Sequence, residues 1–176
     1  MTREEILSHV DHTLLKPEAT WPQIQTLCDE AIANHTASIC INTCYVRQAV
    51  EYMAGRIPVC CVVGFPLGAM DTESKAFEAK KAIENGASEV DMVINIGWLK
   101  NKQYDDVRND IAAVKAAVGD KVLKVIIWVG VSLLGPHVGF AVANAKLWAM
   151  GVKLFSQVIV ILSNYIFSKV LIFKKK

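Results

Sequence analysis

Apolar residues in the first 127 positions follow two periods in turn. Ile24, Leu27, Cys28, Ala31 and Ile32 recur at helical spacing and predict a helix over 21–34. Segments 38–42, 58–63, 89–94 and 122–127 are short apolar runs carrying Val or Ile, and they predict strands. A shorter extended run, 12–15, ends at Lys16-Pro17. Further helices are expected over 2–10, 46–53, 71–85 and 104–118. Thr2 and Glu5 are spaced as a capping box, while Gly86 and Gly119 stand where helices stop.

Strands and helices thus alternate with short connections, and the strands read as continuous apolar runs. That is the mark of a parallel sheet covered on both faces. No Gly-x-Gly-x-x-Gly follows the first strand, so a dinucleotide-binding sheet lacks its signature. Five strands in this order fit the opening of a (β/α)8 barrel, of the TIM type. Such barrels typically need about 250 residues, so this chain of 176 falls two or three βα units short. The fold expected is therefore an incomplete barrel over 1–127, followed by an irregular tail over 128–176. In the tail, 141–150 reads as a helix closed by Gly151, and 155–162 and 165–173 are β-prone without a pattern. An open barrel exposes sheet edges, so poor solubility or homo-oligomerisation is expected.

Charge sharpens the boundary. All 17 acidic residues lie at or before Asp120, and the tail carries only Lys146, Lys153, Lys169 and Lys174 to Lys176. A reading frame replaced after Ile127, through a retained intron, a frameshift or alternative splicing, would leave such an end. Apolar residues make up 53% of the chain, enough for one domain with a real core. A net charge of +2 neither favours nor opposes nucleic acid, and no nucleic-acid partner is expected. The acidic start, Met-Thr-Arg-Glu-Glu, does not read as a signal peptide. Segment 155–173 has the length of a membrane helix, but Ser156, Gln157, Ser163, Asn164, Ser168 and Lys169 argue against insertion. Cys40-Ile-Asn-Thr-Cys44 could be half of a metal site, yet no matching Cys/His pair follows at zinc-like spacing. Five cysteines in largely apolar runs read instead as reduced core thiols of a cytoplasmic protein. No metal and no cofactor is expected.

One acid stands out. Asp91 lies among Val90, Met92, Val93 and Ile94. Strand alternation puts Glu89, Asp91 and Val93 on one face and Val90, Met92 and Ile94 on the other. The polar face is the candidate lumen, where Asp91 would be placed for proton transfer. A carboxylate buried there is costly unless it is paired or functional. In the next strand Lys124, Ile126 and Trp128 share a face, which makes Lys124 a candidate cationic neighbour. A buried structural ion pair is the competing reading for both residues.

Several segments carry a family resemblance: Val10-Asp-His-Thr-Leu-Leu-Lys-Pro17, Ser38-Ile-Cys-Ile-Asn42, Val63-Gly-Phe-Pro-Leu-Gly68, Lys75-Ala-Phe-Glu-Ala-Lys80 and Glu89-Val-Asp-Met-Val-Ile-Asn-Ile-Gly97. In order and spacing they resemble the deoxyribose-phosphate aldolases, from about Val10 to Ile127. The resemblance implies a (β/α)8 barrel and a metal-free lyase acting through a lysine Schiff base. Its substrates would be 2-deoxyribose 5-phosphate, cleaved reversibly to glyceraldehyde 3-phosphate and acetaldehyde in deoxyribonucleotide and carbohydrate catabolism. By the same resemblance Asp91 matches the proton-relay aspartate. Cys40 matches a pocket-lining cysteine, Asp11 a polar residue of the first strand, and Lys124 the lysine of a Lys-Val-Ile-Ile-Glu segment.

After Ile127 the pattern breaks. Trp128 stands where the family continues with Glu and Thr. The Schiff-base lysine belongs in a Phe-Val-Lys-Thr-Ser-Thr-Gly strand, and Gly151-Val-Lys-Leu-Phe-Ser156 is the nearest segment, so Lys153 is the candidate. The second active-site lysine and the Gly-rich phosphate loops have no counterpart. Two functions are therefore in play. One is an aldolase; the other is a catalytically dead barrel fragment that acts as an interaction partner of a full-length enzyme.

Overall fold

A computed structural model of the chain describes residues 2–127. Five strands, β1 (Asp11–Leu14), β2 (Ser38–Asn42), β3 (Val59–Val63), β4 (Glu89–Val93) and β5 (Val122–Ile126), form one sheet in the order β1-β2-β3-β4-β5. All four strand pairs are parallel. Helices α2 (Trp21–Asn34), α3 (Val46–Met53), α4 (Thr72–Glu84) and α6 (Tyr104–Val118) fill the crossovers, with α1 (Arg3–Leu7) before β1 and a short α5 (Ile96–Lys100) after β4. Sequential parallel strands with one crossover each are the front portion of a (β/α)8 barrel. The expected tail elements over 141–150, 155–162 and 165–173 lie outside the described residues. Among those described, no helix is long and apolar enough to cross a membrane.

The two sheet faces differ in what they bury. Ile39, Ile41, Val59, Cys61, Val63, Val90 and Met92 pack with Ile24, Leu27, Ala31, Val46, Ala49, Met53, Ala79, Ala82 and Val114 from the helices. Alternation then directs the intervening residues to the other face, which carries a separate small cluster of Cys40, Cys60 and Val62 flanked by Leu15 and Phe65. That inner face is the one a closed barrel turns into its lumen.

Most predicted boundaries agree with the observed elements to within one or two residues. The first helix is the exception, ending at Leu7 instead of running to residue 10. Its capping box is present, with Glu5 N–H donating to Thr2 Oγ1 (3.2 Å) and Thr2 N–H donating to Glu5 Oε2 (2.8 Å). Residues 8–10 then turn, with Val10 N–H donating to Leu7 O, so that Asp11 can enter the sheet opposite Ser38. Helix α5 was not foreseen. Asn95 caps it by accepting from Trp98 N–H (3.1 Å), a local signal that a five-residue element barely advertises.

The loop after β3, residues 64–71, seats directly on the end of β4. A Cβ at Gly68 (φ +65°) would lie 2.2 Å from Ile94 O, so glycine is required there by both conformation and contact. Two polar contacts hold the loop from α4. Glu78 Oε2 accepts from Gly64 N–H (2.9 Å), and Lys75 Nζ donates to Gly68 O (3.2 Å). Lys75 is fully buried and also pairs with buried Asp110 of α6 at 2.6 Å, whose other oxygen accepts from Thr72 Oγ1.

Candidate active site

The inner face gathers charge from β1, β4 and β5. Register places Asp91 opposite Lys124, Asp11 opposite Ser38, and Cys40 opposite Cys60. Lys124 Nζ lies 2.6 Å from Asp11 Oδ2, 3.0 Å from Glu89 Oε2 and 3.1 Å from Asp91 Oδ1. Ser38 Oγ donates to the other oxygen of Asp11 at 2.7 Å. On the opposite side of Asp91, Cys40 Sγ donates to Oδ2 at 3.8 Å. The contact from Lys124 to Asp91 Oδ1 is an ion pair by distance but is not aligned as a hydrogen bond, which leaves that buried oxygen without a directional donor.

Three carboxyls facing one ammonium are not neutral. Were all four ionised, the cluster would hold two uncompensated negative charges in a largely water-excluded place, which is unfavourable. Asp91 is the most buried acid of the three and bears the largest desolvation penalty when ionised. Burial pushes its carboxyl above the ordinary value of 3.8, attraction to Lys124 opposes the rise, and Asp11 adds to it. Burial acts to lower the Lys124 ammonium, but the anionic forms of Cys60, Asp91 and Asp11 outweigh it and the net shift is upward. Lys124 is held as a cation and is no free amine. The thiols of Cys60 and Cys61 are both raised: Cys60 chiefly by its contact with Cys40 and by burial, Cys61 chiefly by burial.

The structure thus brings together four of the five sequence candidates: Asp11, Cys40, Asp91 and Lys124. The fifth, Lys153, lies outside the described residues. Sequence reasoning put Glu89 on the right face without recognising it as a partner of Lys124. It also missed Ser38 and Cys60. Those contacts depend on the register between strands, which alternation within one strand does not specify. Cys44 is exposed and is not a companion of Cys40, so the Cys40/Cys44 spacing makes no half-site.

Comparison with known proteins agrees with this geometry. The DeoC/LacD family aldolase pattern matches residues 6–139, which runs past the boundary at Ile127. A deoxyribose-phosphate aldolase of Clostridioides difficile is 56% identical over 124 residues, 70% of this chain and 57% of that protein. Among solved structures, a putative deoxyribose-phosphate aldolase from Coccidioides immitis aligns with a TM-score of 0.70 at 45% identity, covering 72% of this chain and 51% of that one. A tetrameric deoxyribose phosphate aldolase from Aeropyrum pernix aligns with a TM-score of 0.60 at 29% identity, covering 72% and 53%. The chain spans a little over half the length of the relatives it matches. With three quarters of its residues inside the family pattern, and with the barrel strands and inner-face acids in place, the chain belongs to the DeoC/LacD aldolase family.

Proposed function

We propose that this chain is built for class I aldol chemistry of the deoxyribose-phosphate aldolase kind: reversible cleavage of 2-deoxyribose 5-phosphate to glyceraldehyde 3-phosphate and acetaldehyde in the cytoplasm. In this reading the Lys153 amine attacks the carbonyl carbon, water leaves, and an iminium forms. Cleavage of the carbon–carbon bond then leaves its electron pair on the iminium as an enamine. Asp91 moves the protons. It takes one from the hydroxyl that becomes the product carbonyl and returns one to the enamine carbon. Lys124, fixed among Asp11, Glu89 and Asp91, holds the relay carboxyl in place. Cys40 lines the pocket beside it. The single observation that carries the reading is a buried inner-face carboxyl, Asp91, set 3.1 Å from the Lys124 ammonium.

A second reading has its own support. The chain spans only 57% of the Clostridioides difficile protein, and among the described residues β1 and β5 each have one strand neighbour. On that reading 1–127 supplies the front of a barrel, 128–176 is a divergent tail, and the fragment associates with a full-length aldolase or with itself. The tetrameric Aeropyrum pernix relative makes self-association a natural expectation.

One experiment separates the two. The purified full chain is incubated with acetaldehyde and borohydride, and lysine adducts are mapped by mass spectrometry. Reductive trapping on Lys153, abolished in Lys153→Met, supports the aldolase. Absence of any lysine adduct rejects it and leaves the fragment. Even with trapping, turnover of the sugar phosphate should be far below that of an ordinary aldolase, because binding of the non-reacting phosphate helps to drive the chemistry.

A further inference from the structure

The inner face carries a second set of donors that the aldol reading does not use. Cys40 Sγ, Cys60 Sγ and a carboxylate oxygen of Asp91 all lie within 4.8 Å of one another, and all three residues are buried. Cys40 Sγ is 3.8 Å from Asp91 Oδ2. Two ligands of a tetrahedral zinc-type ion, with sulfur at ~2.3 Å and oxygen at ~2.0 Å, stand about 3.5 Å apart, so closing the set needs shifts of only a few tenths of an ångström on that edge. The two oxygens of Asp91 are also already divided. Oδ1 faces the Lys124 ammonium, and Oδ2 faces the thiols.

We infer that Cys40, Cys60 and Asp91 Oδ2 form a binding site for a thiophilic divalent cation of the zinc or cadmium class. Two sulfur donors select such ions over magnesium or calcium. Neighbouring Asp11, Glu89 and Lys124 retain about a quarter of their side-chain exposure, and their carboxyls outnumber the ammonium. That excess of negative charge favours entry of a cation. On binding, each thiol loses its proton to solvent and forms a metal–sulfur bond, while Oδ2 exchanges the weak S–H contact for a metal–oxygen bond. The fourth position is left to water. The charge of the ion offsets that of the two thiolates it creates. Occupancy also takes Asp91 out of proton exchange, so the ion is an inhibitor and not a cofactor. That consequence rests on the proposed aldolase role; the binding itself does not.

The test uses the full chain and cadmium chloride alone. Titration should raise an ultraviolet thiolate-to-cadmium charge-transfer band that saturates at one ion per chain and releases a proton from each thiol. In the native chain, cadmium should protect Cys40 and Cys60 from slow alkylation while leaving exposed Cys44 reactive, as read by peptide mass spectrometry. Cys40→Ser should lose the band and Cys44→Ser should keep it, with circular dichroism showing that both are folded. If Cys40→Ser fails to fold, protection in the unmodified chain decides. No band in excess cadmium, or protection confined to Cys28 or Cys44, overturns the site. Metal binding without lysine trapping would sustain this inference while rejecting the aldolase; trapping without metal binding would do the reverse.

Discussion

Two lysines of the described residues, Lys75 and Lys124, meet their acids in opposite ways. Lys75, in the helical layer, is fully buried and meets one acid, Asp110, with Gly68 O satisfying a further proton. The charges cancel, two of the three donors are used, and the result is a clamp that fastens the loop after β3 to α4 and α6. Lys124, on the inner face, is about one-fifth exposed and meets three acids. There the charges do not cancel, and Asp91, the most buried of the three acids, has its proton affinity raised by burial, with Asp11 adding to the rise and Lys124 opposing it. A balanced buried pair fixes structure, whereas an unbalanced cluster favours the neutral form of its most buried acid.

Breaking the balanced pair should have the largest effect. Lys75→Met leaves Asp110 buried and unpaired, and should cost about 3–5 kcal/mol in denaturant unfolding. Lys75→Met with Asp110→Leu should recover most of that loss, because a matched apolar pair carries no stranded charge. If the double variant is as unstable as the single, the clamp is not chiefly electrostatic.

The corresponding change on the inner face should be smaller and should depend on pH. Lys124→Met is expected to cost about 1–3 kcal/mol at pH 7, discounted because the group is partly solvated. The ammonium is shifted upward, so its contribution is fully present below 10.5 and is lost as pH rises from there through its folded-state value. Acidification should shrink the difference from the other side, as Asp91, raised above 3.8, takes up a proton and no longer attracts the ammonium. A loss that is constant from pH 7 to pH 4 would contradict the cluster.

Asp91→Asn should have the smallest effect, within about 1 kcal/mol at pH 7. A carboxyl raised above 3.8 binds more protons folded than unfolded, so the native state loses stability as pH climbs from 3.8 through the folded value. Removing the acid should abolish that fall. The variant should be relatively more stable at neutral pH than at pH 3, measured by urea midpoints. It should also lose enamine proton exchange if the chain traps aldehyde.

Much of the fold was legible because periodicity and strand length act locally. Helices α2, α3 and α6 and strand β2 fall at their predicted limits. The lumen face of β4 was also readable, since one acid in an apolar strand has few places to go. What escaped was set across the sheet. Glu89 joining Lys124, Cys60 beside Cys40, and the long-range meeting of Lys75 with Asp110 depend on register and on helix packing, to which no single segment commits. The early end of α1 has the same origin. Helical propensity continued past Leu7, but pairing of Asp11 with Ser38 required the chain to turn.

The surplus of acid over base at Lys124 is most directly examined at Asp91 itself. Carbon-13 labelling of aspartate carboxyls, with Asp91→Asn to assign the resonance, gives its titration by NMR in the intact chain. The midpoint should lie above 3.8, and it should fall when Asp11 is replaced by Asn. A midpoint at or below 3.8, or one indifferent to Asp11, would mean that the inner face holds an ordinary ion pair and does not favour the neutral form of Asp91.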